Sequence, residues 1–346
     1  MSLGKPRPLR CSVVGLGRIA STLEKDTLRE KPCTHIGAIA ENPDCDLISG
    51  CDRDGEARRL FMEDWGGHGP APQVFDHIDR LLDADVPDIL VVATYPESHH
   101  YMVKRAAAAG VPVVICEKPV AETLRDARKI ERIHRSGRTK VLVNHERRYS
   151  ADYRAVRGLI ADRRYGEVLA VRTALYFGRT TRLKDMLLHD GTHLVDIINF
   201  LLAAGPSNSS PLRLSRCFGT FRSNQGSAFL FGRAGEIPVV VETGAGRDHL
   251  AFETEISFER GRVRVGNGVL SFEKSAESPF YEGYRSLLPD ETPVIEKTGY
   301  FTNMIADAVR CAREEGYYPD SSAADALQVM RFIRATRFEA LRTIFR

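Results

Sequence analysis

The chain has 346 residues, of which 43% are hydrophobic and 27% charged, a length typical of two domains rather than one. Its formal net charge is only +3 and its basic residues are spread along the chain, which argues against a nucleic-acid-binding protein. No apolar run reaches the roughly 18 residues of a membrane span, and the basic N-terminus lacks the apolar core of a secretion signal.

The cysteines are odd in number and scattered, and they form no C-x-x-C pair. They lie at positions 11, 33, 45, 51, 116, 217 and 311. This pattern favours reduced thiols in a cytoplasm over a disulfide framework or a zinc site, and we expect no metal.

The first predicted strand, residues 9–14, leads directly into a G-x-G-x-x-A motif. Its first glycine allows a tight turn, the second lets the backbone approach a pyrophosphate, and the alanine lets a helix pack on the sheet. The N-terminus of that helix would supply amide donors to the phosphates. The motif predicts a dinucleotide-binding turn formed by Gly15, Gly17, Arg18, Ile19 and Ala20.

The second predicted strand, residues 45–51, ends in Asp52, whose carboxylate could accept hydrogen bonds from an adenosine ribose. This favours NAD over NADP, although Arg53 follows directly and could meet a 2′-phosphate. Asp52 lies about 30 residues beyond Ala20, where about 20 is expected. A charged loop around residues 24–34 accounts for the excess. A plain surface aspartate is the alternative interpretation.

Strands and helices then alternate, which predicts a doubly wound parallel sheet and a first domain over residues 1–145. The predicted strands are 88–93, 113–116 and 140–143, and the predicted helices are 101–109 and 123–134. The first two of these strands are almost continuously apolar, as expected for strands covered on both faces.

The strand at 113–116 runs directly into Glu117, Lys118 and Pro119. The proline favours an extended conformation for Lys118. Because open α/β sheets bind ligands at the carboxyl ends of their strands, a lysine beside a carboxylate there is placed for chemistry. A solvent-exposed Glu-Lys pair is the alternative interpretation.

In this order, the motifs resemble those of the glucose–fructose oxidoreductase / inositol dehydrogenase / MocA-type (Gfo/Idh/MocA) oxidoreductase family. The resemblance rests on the glycine turn, the strand-end aspartate, T-x-x-x-x-H at residues 94–99, E-K-P at 117–119 and N-H-E-R-R-Y at 144–149. It implies that Thr94, His99, Glu117 and Lys118 contribute to the cofactor site. It also implies that the segment with Arg147 and Arg148 opens the second domain.

From residue 146 onward the pattern predicts an α+β domain with an open, mostly antiparallel sheet. The predicted strands are 167–177, 212–221, 237–243, 251–258 and 268–272, and the helices are 151–161, 300–314 and 322–341. The last two helices could pack back on the first domain. The resemblance implies that one sheet face covers the substrate crevice and the other packs against a partner subunit, as in a homodimer or homotetramer.

Residues 189–196, H-D-G-T-H-L-V-D, resemble the family segment D-x-G-x-H-x-x-D. His193 matches the family histidine that faces the nicotinamide. The first acidic position falls on His189, with Asp190 one place later, so either residue is a candidate for the acidic role. The alternatives are a helix N-cap for Asp190 and a packed histidine for His193.

The loop before this cluster carries Arg179 and Arg182. Together with Arg147 and Arg148, they could select an anionic sugar derivative, because arginine binds carboxylate or phosphate through two hydrogen bonds. A solvated loop is the simpler interpretation.

The sequence therefore predicts an NAD(P)-dependent oxidoreductase acting on a secondary alcohol or ketone of a sugar- or cyclitol-like substrate. Lys118 would stabilise the developing alkoxide, and His193 would act as general acid/base. The alternatives are a non-catalytic dinucleotide-binding regulator or scaffold, and a lyase or hydrolase that uses NAD transiently.

Overall fold

The computed structural model describes residues 6–67, 71–177, 183–204, 211–219 and 226–344. The chain divides into two compact units. The first comprises residues 1–149 and 297–327, and the second comprises residues 150–296 and 328–346. The N-terminal part of the first unit thus ends after Tyr149 rather than after residue 145. The first unit also includes a C-terminal segment, residues 297–327.

The first unit begins with alternating strands and helices. The strands are β1 (Leu9–Val14), β2 (Cys45–Cys51), β3 (Gln73–Phe75), β4 (Ile89–Val92), β5 (Val113–Cys116) and β6 (Lys140–Val143). The helices are α1 (His35–Glu41), α2 (Gly55–Trp65), α3 (Ile78–Ala84), α4 (Pro96–Ala109) and α5 (Leu124–Arg135). All strand pairs are parallel, in the order β3-β2-β1-β4-β5-β6, so the predicted doubly wound sheet is confirmed.

The second unit is built around an eight-stranded sheet. Its helices are α6 (Ala151–Ala161), α7 (Leu183–His189) and α8 (Gly191–Leu202). Its strands are β7 (Val168–Phe177), β8 (Arg213–Gly219), β9 (Ser227–Ala234), β10 (Ile237–Ala245), β11 (Ala251–Phe258), β12 (Gly261–Gly266), β13 (Val269–Glu277) and β14 (Arg285–Pro289). The order is β14-β13-β12-β11-β7-β10-β9-β8, and only the β7–β10 pair among these strands is parallel. The mostly antiparallel sheet is therefore confirmed.

Two helices follow, α9 (Tyr300–Arg313) and α10 (Ala323–Ile344). Helix α9 belongs to the first unit, and α10 begins there and continues into residues assigned to the second. Phe301, Met304 and Ile305 of α9 join the apolar core formed with β1, β4 and β5. Fully burying a side chain of this size contributes roughly 1.5–3 kcal/mol, so the returning segment is part of the first unit's core.

The helix expected directly after the glycine turn is interrupted. Residues 17–21 make one helical turn, in which the amide of Ser21 donates to the carbonyl of Gly17. In a continuous helix the carbonyls of Ile19 and Ala20 would accept from residues 23 and 24. Here they accept from the amides of residues 35 and 36, at 3.2 and 3.0 Å. Twelve residues are therefore inserted, and α1 resumes beyond them.

This insert, residues 23–34, explains the long spacing to Asp52. Ala20 and Asp52 are 32 positions apart, and without the insert they would be 20 apart, as the fingerprint requires. The Glu24 carboxylate accepts from the Thr34 hydroxyl at 2.6 Å. The Glu30 carboxylate accepts from the amides of residues 298 and 299, both at 2.7 Å, at the start of α9. Hydrogen bonds to Glu24 and Glu30 thus hold the insert to the cap of α1 and to the start of α9.

Candidate active site

The carboxyl ends of the parallel strands form one edge of the first unit's sheet. At β1 the strand order changes direction, and ligands of open α/β sheets bind at such a switch point. Gly15, directly after β1, has φ +89°, and a Cβ there would lie 2.6 Å from the carbonyl oxygen of Ala93. Only glycine fits where the turn passes this close to the backbone that follows β4. A Cβ at Gly17 would meet no described atom within 4 Å, so space for a ligand remains beside it.

The structure brings Asp52 against the glycine turn. One carboxylate oxygen accepts from the amide of Leu16 at 2.8 Å, and the other accepts from the amide of Asp54 at 3.0 Å. The guanidinium of Arg58 donates to the carbonyl oxygen of Asp52 at 2.7 Å, whereas Arg53 is exposed. The two parts of the predicted fingerprint are therefore physically joined.

The loops after β4 and β5 are joined through His99. Its ring is fully buried, with one nitrogen 2.9 Å from the carbonyl oxygen of Thr94 and the other 3.1 Å from that of Pro119. Burial lowers the pKa of His99, although these carbonyls and Glu117 oppose the shift. Its nearest polar partners are thus protein carbonyls, and its predicted cofactor contact stays a prediction. The Thr94 hydroxyl lies 2.7 Å from that of Ser98.

Glu117 is buried at the end of β5, so the solvent-exposed interpretation of the Glu-Lys pair is wrong. One carboxylate oxygen lies 2.7 Å from Nε2 of His35 and accepts from the Asn144 amide at 2.6 Å. The other oxygen accepts from the backbone amide of Lys118 at 3.2 Å. Burial raises the pKa of Glu117, but His35 and Asn144 outweigh it and hold this pKa below its ordinary value. The carboxylate is therefore ionised at neutral pH.

Three residues of this cluster were missing from the sequence prediction: His35, Asn144 and Glu146. Asn144 and Glu146 lie in the segment that carried the family resemblance, which was their only signal. Burial raises the pKa of Glu146, while Arg147 and Lys118 oppose that shift. His35 had no signal at all, because the insert displaces it from the glycine turn.

The segment after β6 is anchored within the first unit. Arg148 is buried, and its guanidinium donates to the carbonyl oxygen of Asp320 at 2.9 Å and lies 3.4 Å from the Asp325 carboxylate. The Tyr149 hydroxyl donates to the Asp307 carboxylate at 2.7 Å. These contacts give Arg148 a structural role, and the substrate contacts proposed for it and for Arg147 stay predictions.

In the second unit, the H-D-G-T-H cluster lies at the junction of α7 and α8. His189 is the last residue of α7 and is exposed. Asp190 stands at the N-cap position of α8, as the alternative interpretation expects, but its side chain makes no capping hydrogen bond there. Arg179 and Arg182 lie outside the described residues.

His193 is buried in the first turn of α8, with its ring edge-on to that of Phe252 at 6.4 Å. Its backbone amide donates to the carbonyl of Asp190 at 3.1 Å, and buried Asp196 lies one turn further along. Both candidates for the acidic role, His189 and Asp190, are therefore within one helical turn of His193 in sequence.

Neither a candidate metal site nor a candidate membrane-spanning helix is found in the part of the chain that the structure describes. Within those residues no group of three or more His, Cys, Asp or Glu could hold a metal ion. No helix in the described ranges combines the length and apolar character needed to cross a membrane.

Residues 9–145 match a family model described as an oxidoreductase family with an NAD-binding Rossmann fold. The inositol 2-dehydrogenase of Rhizobium meliloti is 26% identical over 208 residues, 57% of this chain and 56% of that protein. The inositol 2-dehydrogenase of Paracoccus denitrificans is 35% identical over 140 residues, 39% of this chain and 41% of that protein. The chain thus matches about half the length of these relatives.

The chain is also similar to the crystal structure of the WlbA dehydrogenase from Bordetella pertussis in complex with NADH and UDP-GlcNAcA. The TM-score is 0.72 at 20% identity, with 97% of this chain and 96% of that chain covered. This similarity supports the two-part fold class predicted from the sequence.

Asp52 provides a test of cofactor choice. Asp52→Asn keeps an acceptor for the Leu16 amide and removes the charge that repels a 2′-phosphate. We expect the wild type to bind NAD several-fold more tightly than NADP, and the variant to lose this preference. Calorimetric titration with both cofactors measures it. Asp54→Asn, which keeps a good helix cap, is the control and should retain the preference. Tighter binding of NADP to the wild type would contradict the prediction.

Proposed function

Because residues 9–145 belong to the Gfo/Idh/MocA oxidoreductase family, we propose that the chain is an NAD-dependent dehydrogenase for a sugar- or cyclitol-like polyol. The observation that best supports this proposal is the buried Glu117 carboxylate, which lies 2.7 Å from Nε2 of His35 and accepts from the backbone amide of Lys118 at the sheet edge that also holds the glycine turn. A pure binding protein has no need of a lysine constrained in this way, so this observation favours catalysis over a regulator or scaffold.

The residues of the first unit fit the proposed cofactor. The open space beside Gly17 suits a pyrophosphate, and the Asp52 carboxylate suits an adenosine ribose. The cofactor supplies a hydride acceptor in one direction and a hydride donor in the other. NADP is the second candidate, because exposed Arg18 and Arg53 flank the same turn and strand end.

In the proposed oxidation, the C–H bond of the carbinol breaks and both electrons leave with the hydride. The hydroxyl proton passes to the imidazole of His193, since an imidazole titrates near neutrality. The ammonium group of Lys118 stabilises the negative charge that develops on the oxygen. In the reduction, the same groups act in reverse.

Inositol is the first substrate to test, because the relatives from Rhizobium meliloti and Paracoccus denitrificans are inositol 2-dehydrogenases. The UDP-GlcNAcA bound in the WlbA complex makes acidic sugars the second class to test. An acidic sugar would also give Arg179 and Arg182 a function. All seven cysteines are buried thiols outside any disulfide, which supports the predicted cytoplasmic location; cell fractionation would test it.

The function is tested with a panel of inositols, sugars, amino sugars and sugar acids, followed by the absorbance of reduced cofactor. Lys118→Ala and His193→Ala should each lower kcat by about 10²–10⁴ for the active substrate, with cofactor affinity little changed. Lys129→Ala, which removes a half-buried lysine paired with Asp126 on α5, should keep full activity. Near-native turnover by Lys118→Ala would end the proposed mechanism, and binding of NAD without any turnover would favour the regulator.

Two single variants test whether Asp190 or His189 takes the position of the family's first acidic residue. Asparagine suits a helix N-cap position as well as aspartate does, so Asp190→Asn should leave the melting temperature nearly unchanged. If Asp190 orients His193, this variant loses turnover while His189→Ala keeps it; the reverse result assigns the role to His189. Full activity of both variants would remove the role from the mechanism.

We propose further that the second unit assembles as a homodimer or homotetramer through its sheet. Phe218 of β8 and Phe229 and Phe231 of β9 are 40–49% exposed on one face, and the rings of Phe218 and Phe231 lie 6.0 Å apart. A contiguous exposed aromatic patch is typical of an interface between protein chains.

Replacing both Phe229 and Phe231 by serine should shift the protein to a smaller species in analytical ultracentrifugation. Leu28→Ser is the control, because Leu28 is 95% exposed but lies in the insert of the first unit. A monomeric wild type, or an unchanged assembly of the double variant, would refute this proposal.

A further inference from the structure

The carboxylate of Glu117 is surrounded by groups from four segments of the first unit. His35 of α1 and Asn144 after β6 contact one oxygen directly. The other titratable groups that interact with it are His99 of α4, Glu146, and its chain neighbours Cys116 and Lys118. A buried carboxylate without partners would protonate or destabilise the fold, so its ionisation depends on the few donors that reach it.

His35 is the donor that α1 brings to this carboxylate. Its ring is fully buried, lies 2.7 Å from Glu117 through Nε2, and stands edge-on to Phe301 of α9 at 5.1 Å. No described group bonds its Nδ1. A neutral ring with its proton on Nε2 therefore satisfies this geometry, because it donates to Glu117 and leaves no N–H unpaired.

The position of His35 is fixed by the way the insert closes. Its amide donates to the carbonyl of Ile19, and the hydroxyl of Thr34 accepts from the amide of Gly37 as the cap of α1. The Glu24 carboxylate in turn holds Thr34. These contacts place the first residue of α1 opposite the end of β5, 82 residues away in sequence.

We propose that His35 is a positioning residue, which holds the Glu117 carboxylate ionised and through it fixes the backbone of Lys118. The link is direct, because the second oxygen of Glu117 accepts from the amide of Lys118. The inference rests on the proposed function for the importance of Lys118. The link from His35 to Glu117 rests on the geometry alone.

Two substitutions separate the hydrogen bond from the bulk of the side chain. His35→Gln can place an N–H donor where Nε2 stands, whereas the shorter His35→Asn reaches only to the position of Nδ1. Both variants remove the imidazole. In His35→Asn only Asn144 and Lys118 still oppose the effect of burial, so the pKa of Glu117 should rise above its unfolded value of about 4.3.

The first readout is stability as a function of pH. In His35→Gln the Glu117 pKa stays low, so its stabilisation is present above about pH 4.3 and is lost only in stronger acid. In His35→Asn this stabilisation is absent near neutral pH, because burial then disfavours the ionised carboxylate. The difference in urea midpoint between the two variants should therefore be larger at pH 7.5 than at pH 5. Equal differences at the two pH values would overturn the inference, whether or not the protein turns over a substrate.

The second readout is kinetic. His35→Asn should lower kcat by up to about 10²-fold with an unchanged dissociation constant for NAD, and His35→Gln should restore most of kcat. His134→Gln is the control: His134 is another buried histidine, which accepts from the amide of Val141, and its replacement should spare kcat.

Two results separate a failure of the His35 proposal from a failure of the proposed function. If His35→Asn keeps the wild-type kcat while Lys118→Ala is inactive, the positioning role of His35 is refuted and the proposed function stands. If the wild type turns over nothing in the panel, the proposed function fails, and the stability comparison still decides whether His35 holds Glu117.

Discussion

The first unit depends on keeping one negative charge inside the protein. Removing a carboxylate from water costs several kcal/mol unless hydrogen bonds and opposite charges replace the lost solvent. At Glu117 these replacements come from α1, from the residue after β6 and from the next amide of its own chain. None of these segments can shift without leaving the charge exposed to an apolar interior. The same carboxylate that is costly to bury therefore fixes the geometry around Lys118.

The insert shows how a helix is interrupted without loss of its backbone bonds. Closing a flexible loop costs entropy that grows only slowly with length, so twelve extra residues are tolerated. What is not tolerated is a buried carbonyl without a donor. The carbonyls of Ile19 and Ala20 find their donors in His35 and Ile36, as they would in a continuous helix. The glycine turn thus keeps its packing, and His35 takes the place that an uninterrupted helix would give to residue 23.

Local pattern was sufficient for most of the elements that position the site. The strands at residues 45–51, 113–116 and 140–143 have the predicted bounds because they are short, apolar and flanked by turn residues. Strand β3 was missed because it has only three residues, largely exposed. Strand β12 was missed because its alternation contains only two apolar side chains, Val263 and Val265, between terminal glycines. The predicted strand at 212–221 agrees with β8 as far as Gly219, and residues 220–221 lie outside the described ranges.

The site itself was predictable only where its parts are adjacent in sequence. Glu117 and Lys118 were found because a strand end and a proline mark them. His35 was not, since its partner is 82 residues away and no periodicity relates two such positions. The bond between Asp52 and the Leu16 amide also joins residues that are far apart in sequence. Asp52 was predicted from its expected contact with a ribose. In the structure its carboxylate also closes the glycine turn. Each carboxylate oxygen accepts one backbone amide and has a second lone pair, so closing the turn and binding a ribose hydroxyl are compatible. The aspartate thus couples the shape of the phosphate-binding turn to the residue expected to choose the cofactor, which is a constraint that spacing alone does not reveal.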